Sequence, residues 1–277
     1  SLIPHPSSPF SRLLLWSLCL IFLAPLFWMV STAIKDPSEL MSVPQRFWPR
    51  HPTLVNFVKA VQSIPFFLYL KNTVVIALVS SFGVVLSCTP VAYALAHINF
   101  PKKRLLETLI WFTMFLPFPV VMVPSFLVFA KLKWINTFLP LTVPLFLGGS
   151  AYSILMLKQF FRKIPQELID AARMEGASEW KILWSLVVPL SKNSLAVIFL
   201  LHFLYSWNDF LAPLIYLQDS SHYTLALGIQ MYRLNSYYVD WSLLMAASCI
   251  LVLPSALIFF FVQRTFVQQN LLAGIKG

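Results

Sequence analysis

Long apolar runs alternate with short polar ones along the chain. Apolar stretches lie at about residues 12–34, 72–98, 105–130, 138–161, 190–217 and 241–262. Each is long enough to cross a hydrocarbon core about 30 Å thick, which takes about 20 helical residues. The runs are continuous rather than alternating, which predicts helices and excludes lipid-facing β-strands. An all-α polytopic membrane protein with six transmembrane helices follows, and an even number of crossings puts both termini on one side. Residues 1–11 read as a Pro- and Ser-rich tail, 12–265 as the transmembrane domain and 266–277 as a C-terminal tail.

The exceptions to this pattern are informative. Pro25 predicts a kink in the first run. Pro117, Pro119 and Pro124 interrupt the third. Carbonyls freed at membrane depth are tolerated only where protein or a water-filled cavity receives them. The third run is thus a candidate lining for a translocation path, or else a kinked helix packed on its neighbours. Residues 35–70 read as a polar loop whose aromatics (Phe47, Trp48, Phe57, Phe66, Phe67, Tyr69) suit an interfacial belt. Asp209 is the one acid within the fifth run, beside Trp207 and Asn208. An acid there points either to a cavity on the solute path or to interfacial packing near the outer rim. His97 and His202 read as packing residues.

The segment 164–189 is different in kind. Four of the ten acids (Glu167, Asp170, Glu175, Glu179) and two bases (Arg173, Lys181) fall within it. The membrane explains what surrounds this island and nothing inside it, so a partner is expected there. Pro165 suits a first helical turn, and Glu167 and Asp170 complement its dipole. Leu168, Ala171, Ala172 and Glu175 share a narrow face that another surface can approach closely. Gly176 can end the helix with positive φ. Ser178 can cap a second helix, with Trp180, Leu183, Trp184 and Val187 as its apolar face.

Composition supports the membrane reading: 58% of the 277 residues are hydrophobic and 11% charged, against about 25% charged in soluble domains. The net charge of +10 sits at the ends of apolar runs, so no nucleic-acid partner is expected. The tight Lys102-Lys103-Arg104 turn places itself, the island and both termini in the cytoplasm. The first run is too long for a signal-peptide core and is kept as a span. Cys19, Cys88 and Cys249 lie in apolar runs with no metal-ligand spacing.

The order of residues in the island narrows the partner. Asp170-Ala171-Ala172, Gly176 and Val188-Pro189 resemble the EAA loop of binding-protein-dependent ABC importer permeases, with Asp in place of Glu and Val in place of Leu. Trp207-Asn208-Asp209-Phe210 with Pro213-Leu214, and Gln263-Arg264-Thr265-Phe266-Val267 with Lys276-Gly277, resemble stretches of the carbohydrate branch, whose members are similar to maltose and glycerol-phosphate importers. Gln269 stands where that branch usually has Gly. The resemblance implies a type I ABC importer permease fold in the bacterial inner membrane. Its loop, residues 162–189, would be a coupling helix docked on an ATPase through Glu167, Asp170, Ala171, Ala172, Glu175, Gly176 and Ala177. Pro117, Pro119, Trp207, Asn208 and Asp209 would lie on the translocation path. The implied solute is a sugar, glycoside or polyol; an amino-acid, peptide or anion importer is the alternative.

The implied partners are two cytoplasmic ATP-binding subunits, an extracytoplasmic solute-binding protein, a second homologous permease and membrane lipid. The chain has no Gly-Lys dipeptide and so no phosphate-cradling loop. No cofactor is expected on it, and ATP and Mg would sit in the partner ATPase. An intramembrane enzyme would want a paired set such as His-Glu-x-x-His, which is absent. A stand-alone channel would leave the island unexplained. Few polar side chains face the spans, so a heterodimer is expected, with the second permease supplying much of any sugar site.

Overall fold

The computed structural model describes residues 9–40, 44, 46–230, 232 and 240–274, without side chains beyond 260. No strand occurs among them. In chain order the helices are α1 Pro9–Ala33, α2 Pro37–Leu40, α3 Val55–Gln62, α4 Phe66–His97, α5 Lys103–Met114, α6 Phe118–Lys131, α7 Leu139–Thr142 and α8 Ala151–Phe161. They continue with α9 Gln166–Met174, α10 Glu179–Leu190, α11 Lys192–Asn208, α12 Leu211–Tyr216, α13 Leu225–Ile229 and α14 Trp241–Gly274.

Four stretches are long and apolar enough to cross a membrane unaided: Pro9–Ala33, Phe66–His97, Leu139–Phe161 and Trp241–Phe260. Two more are bent pairs, α5 with α6 at 100° and α10 with α11 at 80°, giving up to six crossings. The bend between α5 and α6 falls where sequence places it. Pro117 is extended at ψ 143°, and Pro119 sits in the first turn of α6, where a missing N–H is free of cost. Pro124 lies inside α6, and Pro25 inside a continuous α1.

Three boundaries correct the sequence reading. Residues 35–70 are not all loop: they hold α2 and α3, and α4 begins at Phe66 rather than near 72. The fifth span stops at Asn208, where Asp209 turns extended (ψ 123°), and α12 follows as a separate short helix. The last helix runs to Gly274, through part of the expected tail, because no Pro or Gly interrupts residues 266–273. Residues 1–8 and 275–277 and the side chains of the Gln263–Val267 motif lie outside the described residues.

The chain divides into two compact units. In the first (1–67 and 228–254), α1 is exposed along nearly its whole length. Its end is closed by Asn56, a buried side chain whose Nδ2 donates to the carbonyls of Ala33 (2.9 Å) and Lys35 (2.8 Å). That satisfies helix-end acceptors that otherwise lack partners. Phe47 and Trp48 pack on Trp28 and Phe27 with ring centroids 5.7 and 5.8 Å apart. Both remain exposed, as an interfacial belt requires.

The second unit (68–227 and 255–277) holds the main core. Val84, Cys88 and Leu95 of α4 meet Leu157 and Phe161 of α8, Ile169 of α9, Ile182, Leu183 and Val187 of α10 and Ile198 of α11. The stretch before α8 breaks at 148–150, where Gly148 takes φ 78°. A Cβ on Gly149 would stand 2.6 Å from the carbonyl oxygen of Pro144, so only glycine fits that approach. Asn136, at φ 62°, clamps two loops: its Oδ1 accepts from the backbone N–H of Gln218 and Asp219, each at 3.0 Å.

Candidate functional site

The charged island folds as two short helices joined by a tight turn. Pro165 is extended and precedes α9 by one residue, with Glu167 in the first turn. At the other end, Gly176 takes φ 80°, its N–H donates to Arg173 O (2.9 Å), and Ala177 N–H donates to Ala172 O (3.0 Å). These two bonds make a Schellman turn, which a left-handed residue at Gly176 closes. The Ser178 hydroxyl then accepts from Lys181 N at 3.3 Å and starts α10.

Burial separates the two sides of α9. Ile169 is wholly buried, and Ala172 and Ala177 pack half-buried against the core. Glu167, Leu168, Asp170, Ala171, Met174, Glu175 and Gly176 are exposed, with Met174 at 85%. The small-residue face expected from sequence is therefore split: Ala171 faces out, whereas Ala172 and Ala177 seat the helix pair. The expected apolar face of α10 is also corrected. Ile182, Leu183 and Val187 turn inward, while Trp180 and Trp184, one residue round the helix, stack on each other outside (6.3 Å between centroids, 3° between planes). Leu183–Val187 form a π-helical turn that contains members of both registers.

Arg173 holds this arrangement to α4. Its Nε donates to Glu179 Oε1 (2.8 Å), its Nη1 to Asp170 Oδ1 (2.9 Å) and its Nη2 to the carbonyl of His97 (3.2 Å). The Tyr93 hydroxyl donates to Glu179 Oε2, and both ring nitrogens of His97 lie 2.9 Å from oxygens of Gln166 and Phe161. The hydrogen bond from Arg173 holds the Glu179 carboxyl below its ordinary range, against partial desolvation, and Glu179 raises the Arg173 guanidinium in turn. Sequence reading had His97 as a satisfied packing residue, which it is. It missed the links to α4, from Tyr93 to Glu179 and from Arg173 to the His97 carbonyl, because these partners lie 86 and 76 residues apart.

A second site lies among the spans. A cavity of about 330 Å³ is lined by Phe118 at the start of α6, Pro144 and Gly149 at the break before α8, and His202, Tyr205, Ser206 and Asp209 on α11 and its end. Three interruptions of helical structure thus meet at one void, the arrangement irregular backbone needs at membrane depth. Asp209 caps α12, its Oδ1 accepting from Leu211 N (3.1 Å) and Ala212 N (3.3 Å). The buried Nε2 of His202 has no hydrogen-bond partner among the described residues.

Of the residues sequence proposed for the path, Asp209 reaches the cavity and Pro117 and Pro119 flank Phe118, which does. Trp207 is buried, stacked on Phe203 at 5.7 Å, and Asn208 bonds its own helix at Leu204 O (2.7 Å). His202, read from sequence as a packing residue, instead lines the cavity with its Nε2 unsatisfied among the described residues, and Tyr205 and Ser206 were missed. The spacing of the three (i, i+3, i+4) was the available signal, hidden in an apolar run.

Two lysines are buried among the described residues, each 4% exposed: Lys35, whose Nζ donates to the carbonyl of Arg46 (2.6 Å), and Lys158 of α8, which pairs with Glu107 of α5. Among the described residues no cluster of His, Cys, Asp or Glu could hold a metal ion.

The family described as "Binding-protein-dependent transport system inner membrane component" matches residues 88–270. The sn-glycerol-3-phosphate transport system permease protein UgpE of Yersinia pestis is 32% identical over 257 residues, covering 90% of each chain. Its counterpart in Salmonella typhi is 32% identical over 255 residues, again covering 90% of each. Among solved structures, a bacterial ABC transporter involved in the import of the acidic polysaccharide alginate matches with a TM-score of 0.79 at 22% identity, over 92% of this chain and 94% of that one. That likeness identifies the fold.

Proposed function

This chain belongs to the family of binding-protein-dependent transport system inner membrane components, and from that premise we propose that it is a permease subunit of an ATP-driven importer for a sugar, glycoside or related polyol. Relatives named for sn-glycerol-3-phosphate transport, and a structural neighbour named for alginate import, support a hydroxyl-rich solute. A solute-binding protein outside, two ATP-binding subunits inside and a second homologous permease complete the transporter. Membrane lipid surrounds the spans, and both termini face the cytoplasm. ATP and Mg sit in the ATP-binding subunits, so this chain supplies no hydrolytic group.

The observation that supports coupling is the two-sidedness of α9. Ile169 and Arg173 fix one side to the core and to α4, while Leu168, Ala171, Met174 and Glu175 stand free on the other. Motion of an ATPase seated on the free side passes through Arg173 and the Ile169–Ile182 packing to α4, α8 and α11. The last of these lines the cavity.

Gly176 tests this reading. Nothing lies within 4 Å of a Cβ built there, so substitution strains the turn without a clash inside the chain. Left-handed backbone costs a branched residue about 1–2 kcal/mol, whereas Asn tolerates it. Gly176→Val is expected to reach the membrane at normal level while losing most solute-stimulated ATPase and uptake, and Gly176→Asn to retain most of both. Full coupling in Gly176→Val would remove the docking role.

A further inference from the structure

We infer that the cavity takes a neutral polyhydroxylated solute and excludes phosphorylated and other anionic ones. The inference rests on reading that cavity as this subunit's half of the translocation path. Its polar groups are one carboxylate, Asp209, one imidazole, His202, and the hydroxyls of Ser125, Tyr205, Ser206 and Tyr216, set among the rings of Phe118 and Phe129. Among the described residues no lysine or arginine lines it. His202 lies ten residues into α11, about 15 Å from Lys192 along the axis, half the depth of a hydrocarbon core. Its imidazole lines the cavity, and its buried Nε2 has no hydrogen-bond partner among the described residues, so a small side-chain rotation would offer it to a sugar hydroxyl as donor or acceptor.

Aromatic faces with a carboxylate suit a sugar: the rings cover its C–H surface and the carboxylate accepts from its hydroxyls. An anion meets the opposite situation. A phosphate or uronate about 5 Å from Asp209, with no cation between them, loses a factor on the order of a hundred in affinity at the effective dielectric of a protein interior. The relatives' names point to an anionic polyol and an acidic polysaccharide. This chain's cavity carries charge of the wrong sign for either.

The test is uptake of labelled solutes by cells expressing the complete transporter with its binding protein. The panel is maltose, trehalose and glycerol as neutral members, with sn-glycerol-3-phosphate and trigalacturonate as anionic ones. At least one neutral member is expected to be carried at ten or more times the rate of either anion. Asp209→Asn, which preserves the helix cap, is expected to raise the half-saturation concentration for that solute about tenfold or more. His202→Ala is expected to move it in the same direction. An anion carried as fast as the neutral members, with Asp209→Asn still shifting its half-saturation, overturns the solute class and leaves the path in place. A transporter that carries no neutral member also overturns the class. Half-saturation that neither variant moves overturns the path itself.

Discussion

Glu107→Gln is expected to reduce the protein in the membrane to less than about a tenth of its normal level. Lys158 is 4% exposed and pairs with Glu107, so removing the carboxylate strands an ammonium among apolar spans. Breaking a buried pair from one side costs about 3–5 kcal/mol, since the remaining charge is left uncompensated. The converse change, Lys158→Met, is expected to be milder, because Glu107 is 26% exposed and can be hydrated once its partner is gone. The double variant Glu107→Gln with Lys158→Met is expected to recover most of the wild-type level. Quantitative immunoblotting of membranes checks this. A double variant as depleted as Glu107→Gln alone would show that the pair does more than neutralise itself.

Arg173→Met is expected to keep the chain in the membrane and to lower solute-stimulated ATPase and uptake about tenfold or more. The guanidinium is 31% exposed and Glu179 43%, so the ion pair itself is worth about 1 kcal/mol after solvent screening. The larger loss is mechanical. Arg173 bonds Asp170 on α9, Glu179 on α10 and the last carbonyl of α4 at once, and Met reproduces the packing of its stem without those bonds. Acid is expected to have a similar effect. Glu179 in the folded protein has a depressed pKa, so its contribution is complete above the unfolded carboxylate value of about 4.3. It disappears as pH falls through the lower folded value. Amide exchange across 166–182 should therefore accelerate only in acid, and Glu179→Gln should show that faster exchange at neutral pH. Unchanged coupling in Arg173→Met would place transmission elsewhere.

The spans were legible because lipid demands one property over about 20 consecutive residues, and only helices meet it. The turn was legible because Gly176 and Ser178 occupy positions set by backbone geometry within a few residues. The long-range polar contacts were not. Arg173, Tyr93 and Glu179 look like unrelated charges and an aromatic until α4 and α10 meet, and Glu107 lies 51 residues from Lys158. Even so, a lone base inside an apolar run calls for an acid partner, and the two flanking spans hold one acid each, Glu107 and Asp209. Sequence periodicity also gave α10 a single apolar face. Leu183 and Val187 form the inner register with Ile182, and Trp180 and Trp184 the outer one, a distinction of one residue that hydrophobicity does not make.

The docking side of α9 admits a direct measurement. In a variant lacking Cys19, Cys88 and Cys249, Met174→Cys places one thiol at a position 85% exposed in this chain. In the assembled transporter, a short bifunctional maleimide is expected to join it to an ATP-binding subunit carrying a single cysteine in its facing groove. A membrane-impermeant maleimide should label it at least tenfold more slowly than in the isolated permease. Equal labelling rates in the two states, with no cross-linked product, would contradict the assignment of 164–189 as the ATPase docking element.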